Sequence, residues 1–298
     1  MIQFFFEVLI GGLLSGVMYS LVALGFVLIY KASGVFNFAQ GSLVFFAALT
    51  FVGLTEHHFP FALALVTTLA VMIVAALAIE RLVLRPLVNQ PPISLFMATI
   101  GLSFFIEGLA QLIWGANVRG LDLGLQDEPI QAISDATGMN ISKFDLAAAG
   151  IAAVLVIALA AFFSRTRIGR ALRAVADDHQ AALAVGIPLQ QIWGIVWAVA
   201  GFVALVTGLL WGARNGVQFA LTFVALKALP VLILGGFESV QGAIVGGLII
   251  GASEKLAEVF LGPYVGGGIE GWFPYVLALL FLLVRPEGLF GEKIIRRI

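Results

Sequence analysis

A lysine, a glutamate and a short amide-bearing motif interrupt hydrocarbon where no charge or amide would be left without a reason. Lys227 lies in the middle of FALTFVALKALPVLIL, three residues before Pro230. A cation near the middle of a bilayer costs about 2.5–3.5 kcal/mol on insertion scales, so this ammonium must face protein or water. Pro230 removes a backbone donor and predicts a kink or break. Glu107 sits in GLSFFIEGLAQL, with Gln111 one turn further on. Such groups line a path for a polar solute, or form a buried structural ion pair with Glu107 as a partner for Lys227, or reach toward an interface. Gly34-Val-Phe-Asn37-Phe-Ala-Gln40-Gly41 is the third interruption. Polar residues and glycine inside an apolar run are how discontinuous helices present groups to a solute, and Asn37, Gln40 and Gly41 are the candidates. An inner loop with an asparagine cap is the competing reading.

Other chemistry is missing from the pattern. The chain has no GxxxxGK[ST] phosphate loop, no HExxH and no GxSxG, and it has no cysteine. These absences argue against P-loop nucleotide binding, a zincin, a nucleophile elbow and thiol catalysis. The three histidines are His57, His58 and His179; the adjacent pair is expected on a short solvated loop rather than at a metal. The chain is expected to be neither an enzyme nor a metalloprotein.

The 298 positions that must hold these residues are 61% hydrophobic and only 11% charged, with a mean hydropathy of +1.08. Soluble domains carry roughly 25% charged residues, so the expected fold is an all-α, polytopic transmembrane bundle. The formal net charge of −1 suggests no nucleic-acid partner. The N-terminal MIQFFFEVLIGG lacks a basic flank, so its apolar run is expected to remain as a membrane helix. Apolar segments fall at about 4–30, 41–55, 60–80, 93–114, 145–163, 190–211, 219–235, 240–261 and 272–285. This gives eight to ten helices, some of them half-helices, in one domain spanning residues 1–298.

Lysine and arginine set the expected orientation. Segments 81–92, 164–189 and 285–298 with Lys31 hold eleven basic residues, against Arg119, Lys143 and Arg214 on the other side. Nine crossings would place the N-terminus outside and the C-terminus in the cytoplasm. Trp114, Trp211 and Trp272 then fall at outer ends and Trp193 and Trp197 at an inner end, as expected of interfacial belts. Gly242/Gly246 and Gly247/Gly251 form small-xxx-small pairs, read as one packing face, and Gly12/Gly16 and Gly208/Gly212 add others. Phe36-Asn-Phe-Ala-Gln-Gly41 is echoed by Phe237-Glu-Ser-Val-Gln-Gly242, a candidate internal repeat.

One polar stretch, Ser164 to Gln191, is both basic and helix-patterned. Arg165, Arg167, Arg170 and Arg173 alternate with Ile168, Leu172 and Val175, followed by Ala182 and Leu183. Gly186 stands where a helix would end and Pro188 where the next would begin. Attraction to anionic lipid is one use for such a helix. Its alanine-rich second half, interrupted by Asp177 and Asp178, is better suited to a protein groove.

These residues carry a resemblance to a known family. Four regions are similar to the integral-membrane permease subunit of bacterial branched-chain amino acid ABC importers, the high-affinity leucine/isoleucine/valine uptake type: LVALGFVLIYKASGVFNFAQG from Leu21 with its NFAxG element, RPLVNQPPISLFMATIGLSFFIEG from Arg85, GRALRAVADDHQAALAVGI from Gly169, and Lys227–Gly251 with the closing RPEGLFG from Arg285. The resemblance covers nearly the whole length. Gln40 stands where many members have His, Pro230 closely follows the family's lysine, and the loop at 115–145 has its own sequence. The resemblance implies a multi-pass protein of the bacterial inner membrane that does no chemistry on its solute. Its implied partners are a second homologous permease subunit or another copy of this chain, two cytoplasmic ATPases that bind ATP and Mg, and a periplasmic binding protein. It further implies that 164–190 is a cytoplasmic coupling loop. There Arg170, Arg173, Asp177 and Asp178 would pair with the ATPase, and Ala181, Ala182, Ala184 and Gly186 would let the helix seat closely. Urea or short amides are alternative solutes within the family. An ion-coupled transporter that uses Glu107 and Lys227 is the alternative outside it.

Overall fold

The computed structural model describes residues 2–291 apart from Val35, Val88, Asn89, Gln126 and Asp178, and only the backbone at Pro92, Asp177, His179 and Gln180. Among the described residues the chain is helical throughout, with no strand and two isolated β-bridges. The long helices are α1 (Ile2–Ser33), α2 (Gln40–Glu56), α3 (Phe61–Ile79), α4 (Pro92–Trp114), α6 (Lys143–Arg165), α9 (Leu189–Asn215) and α11 (Val240–Phe260). Shorter ones are α5 (Gln131–Thr137), α7 (Arg167–Asp177), α8 (His179–Ala184), α10 (Val224–Gly235), α12 (Gly262–Val265) and α13 (Phe273–Val284).

The apolar runs become helices because a bilayer leaves every backbone donor and acceptor to be satisfied within the segment. Five are long and apolar enough to cross: α1, α3 with the turns that continue it to Leu87, α4, α6 and α9. The segments at 219–235 and 240–261, expected as two crossings, are joined by a sharp bend. A 3₁₀ turn (Phe219–Phe223) leads into α10, and α10 meets α11 at a bend of 113°. Gly236, at φ +103°, permits that reversal, and Ser239 starts α11 by accepting from Gly242 N at 2.9 Å. Helices α2 and α13, with 17 and 12 residues, are apolar but short. At 1.5 Å per residue they reach about 25 and 18 Å, less than a hydrocarbon core of about 30 Å.

The helices group into two compact units. The first comprises residues 1–24, 124–157 and 227–298. Its centre is the crossing of α1 and α11. A Cβ added at Gly12 would lie 2.7 Å from Gly251 O, and one at Gly16 would lie 2.6 Å from Gly247 O. Glycine is what lets these two backbones touch. The four α11 glycines therefore do not share one face, as their spacing suggested. Gly247 and Gly251 meet α1, whereas Gly242 and Gly246 meet Gly235 and Val231 of α10. A helix advances 100° per residue, so the shift from 246 to 247 turns the second pair to a different neighbour.

The second unit comprises residues 25–123 and 158–226. Its axis is α2, buried from Gln40 to Gly53 among α3, α4 and α9. A Cβ at Gly208 of α9 would lie 2.6 Å from Val44 O. Val66, Val74, Phe104 and Leu112 face outward on α3 and α4, as lipid-facing side chains do. Trp193, Trp197 and Trp211 are core residues of this unit, because α9 is surrounded rather than peripheral, and Trp114 packs on Gly53 while donating to Thr50 Oγ1 at 3.2 Å. Trp272, in the first unit, is half exposed. At the end of α3 a π turn (Glu80–Leu84) swings Glu80 inward, where Arg85 grips its carboxylate at 2.9 Å.

Candidate functional site

The turn between α1 and α2 is built to bury amides. Gly34, at φ +69°, ends α1, and Asn37 begins α2 by accepting from Ala39 N on its side chain at 3.1 Å and from Gln40 N on its backbone at 3.2 Å. Three aromatic contacts clamp the segment: Phe26 stacks on Phe36 at 4.5 Å, Phe36 meets Phe38 edge-on, and Phe38 meets Phe96. Asn37 thus makes an Asx turn ahead of α2 rather than the helix cap expected of an ordinary loop, since Ala39 is the N-cap, and it does so in the core: Asn37 is 1% exposed and Gln40 0%. Asn37 Nδ2 and both polar atoms of the Gln40 carboxamide have no protein partner, nor does Thr207 Oγ1 of α9. Each such group costs about 1–3 kcal/mol if it stays dry and unpaired. Gly41 completes the turn: a Cβ there would strike Thr222 O of the 3₁₀ turn and lie 3.0 Å from Ala225 Cβ. One residue on, Ser42 Oγ donates to Glu107 Oε1 at 2.7 Å, so the α4 carboxylate is held by a hydroxyl.

The first unit holds the charged counterpart. Lys227 Nζ lies 2.8 Å from Glu254 Oε1 of α11, and Tyr19 OH of α1 donates to the same oxygen at 3.0 Å. The ammonium also sits 5.7 Å from the centre of the Tyr19 ring. The ion pair suggested by the sequence exists for Lys227, but its partner is Glu254 and not Glu107. Glu254 is 1% exposed, and such a charge is tolerated only beside a counter-charge. Sequence reasoning missed Glu254 because it reads as the first of three charges, with Lys255 and Glu258, near a helix end. The usable signal was the need of Lys227 for an acid within its own helical hairpin. Tyr19 and Thr207 carried no such signal.

The basic stretch folds back on itself within the second unit. Thr166 caps α7 by accepting from Gly169 N at 3.1 Å, and Gly169 seats against the Phe163 carbonyl. Arg173 Nη1 donates to Phe163 O at 2.8 Å, so this arginine satisfies the open C-terminus of α6. Leu172, Val175 and Ala182 are buried, and Ala182 thus packs inward rather than offering itself to a groove. Arg170, Ala181, Leu183, Ala184, Val185 and Gly186 are exposed. Gly186, at φ +84°, ends the stretch as its position suggested, and Pro188 is the residue before α9. Asp178 lies outside the described residues, as does the side chain of Asp177.

Residues 8–285 match the family described as the permease component of branched-chain amino acid transport systems. The chain belongs to this family. The permease is 26% identical to the high-affinity branched-chain amino acid transport system permease protein LivH of Escherichia coli K12, over 99% of this chain and 98% of that protein. It is 28% identical to BraD of Pseudomonas aeruginosa, the corresponding permease protein there, over 100% and 99%. A fructose import permease protein, FruF of Bifidobacterium longum, is 25% identical over 80% of the permease and 66% of its own length. Among solved structures, PsaBC from Streptococcus pneumoniae in complex with Fab covers 95% of both chains, with a TM-score of 0.47 and 16% identity. The permease is a multi-pass membrane protein of amino-acid transport.

Proposed function

We propose that this permease is the membrane-spanning subunit of an ATP-driven importer that moves branched-chain or related small amino acids across the inner membrane. The observation that carries this reading is the family match along nearly the whole chain. ATP and Mg are bound by two partner ATPases, a periplasmic protein delivers the solute, and a second permease subunit completes the pathway. The C-terminus lies on the cytoplasmic side with the basic stretch at 164–190. The exposed face of α8, with Ala181, Ala184 and Gly186, seats on the ATPase beside Arg170, Asp177 and Asp178, while Arg173 and Ala182 keep that face in place. Asn37, Gln40, Gly41 and Glu107 contribute to the path, and Lys227 is pinned by Glu254.

Reconstitution of the permease with the partner subunits encoded beside it, in liposomes, tests this reading. Leucine uptake should require ATP and the binding protein. Uptake under an ion gradient without ATP would replace the reading with ion coupling, and preference for urea or fructose would replace the solute. Ala184→Arg should abolish ATPase association while leaving stability within about 0.5 kcal/mol, as for an exposed site. Normal assembly and uptake by that variant would remove α8 from the interface.

A further inference from the structure

We propose that the Gln40 carboxamide and the Thr207 hydroxyl form a polar subsite in the second unit for the ammonium–carboxylate head of an α-amino acid. This inference rests on the transport reading above and deepens it. Gln40 opens α2, is fully buried, and has no partner for either amide atom. Thr207 is equally buried and unpartnered. Its isolation is informative, because the hydroxyls of Ser20, Ser33, Thr68 and Thr166 all fold back onto the carbonyl four residues earlier, at 2.9, 2.8, 2.8 and 2.6 Å. That bond was open to Thr207 as well, and it is not made.

The two groups belong together. A Cβ on Gly25 would lie 2.7 Å from Gln40 Nε2 and 3.4 Å from Val203 Cγ1, so the amide, the α1 backbone and Val203 converge. Thr207 follows Val203 by one turn on the same face of α9. One turn along α2 from Gln40, Val44 O abuts Gly208. The α2 and α9 helices thus run side by side, and Thr207 stays within a turn of the amide.

The chemistry selects the ligand class. A carboxamide and a hydroxyl each donate and accept, so together they serve an ammonium and a carboxylate at once. Gln40, Asn37 and Thr207 carry no charge, which suits a solute whose own charges cancel and disfavours a net ion. In this state Gly25 shuts the amide against α1. Separation of α1 from the α2–α9 pair would open it, and a solute that bonds only the open state would shift the permease toward it.

The test uses the full importer in liposomes with radiolabelled leucine. Losing a hydrogen bond worth about 1.4 kcal/mol is roughly tenfold, so Gln40→Leu and Thr207→Val should each lower the maximal uptake rate about tenfold. Gln40→Leu should also raise the unfolding temperature of the purified chain, because an orphaned amide is removed. Unchanged uptake by both variants would overturn the subsite while leaving the importer reading intact. A lowered unfolding temperature with unchanged uptake would also overturn it, by assigning these atoms to buried water. A second arm does not depend on leucine being the solute. The chain has no cysteine, so Gln40→Cys is its single thiol. A small, polar, uncharged methanethiosulfonate should modify that thiol, read as a mass shift of this chain, during ATP turnover and not at rest. Equal modification in both states, or none in either, would sink the subsite. Failure of wild-type leucine uptake with ATP-dependent modification intact would instead sink the amino-acid assignment.

Discussion

In the first unit Lys227, Glu254 and Tyr19 bond to one another and leave Glu254 Oε2 without a partner, whereas in the second Gln40, Asn37 and Thr207 leave an amide oxygen, two amide nitrogens and a hydroxyl without partners. The difference follows from charge. A buried carboxylate without a counter-ion costs several kcal/mol, so Glu254 can exist only with its cation in place. A neutral amide in the same surroundings costs about 1–3 kcal/mol, which a fold tolerates where the group has another use. The charged cluster is therefore a fixed strut joining α1, α10 and α11, and the neutral one is free to exchange partners.

The largest effect should come from breaking the strut on one side. Lys227→Ala leaves the buried Glu254 carboxylate without its cation and should cost about 3–5 kcal/mol. Thermal unfolding of the purified chain in nanodiscs reads this directly. Replacing both charges, Lys227→Met with Glu254→Leu, should recover most of the loss, because the pair contributes little net stability over packed hydrocarbon. Uptake that recovers along with stability makes the triad a strut. Stability that recovers without uptake would place the Lys227 ammonium in the path and collapse the contrast between the two units.

The next largest effect concerns what keeps the strut rigid. Gly16→Ala would put a methyl 2.6 Å from Gly247 O, whereas Gly11→Ala meets nothing within 4 Å. Overpacking at a close helix contact costs about 1–3 kcal/mol, so Gly16→Ala should lower the unfolding temperature and Gly11→Ala should not. Equal effects would mean that the α1–α11 approach is not the tight contact its geometry requires.

The legibility of these features in the sequence varies with their physics. Hydropathy placed nine apolar segments to within a few residues, because each backbone must satisfy itself in lipid. It did not show that 219–235 and 240–260 meet at a bend of 113°, since the bend depends on the φ of Gly236 and on which neighbours the α11 glycines meet. Lys227 was conspicuous and Glu254 was not. A lone charge in hydrocarbon stands out, but an acid in a charged helix end looks solvated until the fold buries it. Burial likewise separated Ala182 from Ala184, and a helical wheel drawn without its neighbours could not.

A smaller effect tests how charge in the second unit is held. Arg173 donates to Phe163 O, while Arg170 is exposed. Arg173→Ala should cost about 1 kcal/mol by leaving the α6 terminus open, and Arg170→Ala should change stability by less than half of that. Arg170→Ala should instead weaken ATPase association, measured by pull-down at rising salt, where a screened contact fades first. If Arg173→Ala were silent in stability and Arg170→Ala were not, the cap and docking roles of the two arginines would have to be exchanged.

The smallest effect falls on the group between the two extremes. Glu107 is a carboxylate at membrane depth held by a hydroxyl, at 2.7 Å from Ser42 Oγ, rather than by a cation. It is only half-buried, so water can replace part of that bond, whereas nothing can replace Lys227 for Glu254. Ser42→Ala should therefore cost about 0.5 kcal/mol, the low end of the net value of one hydrogen bond. A larger loss would make Glu107 a buried charge of the Glu254 kind and a second strut. A small loss of stability with a large loss of uptake is the outcome expected of a path residue, because an acid that tolerates losing its partner can also offer itself to a passing solute.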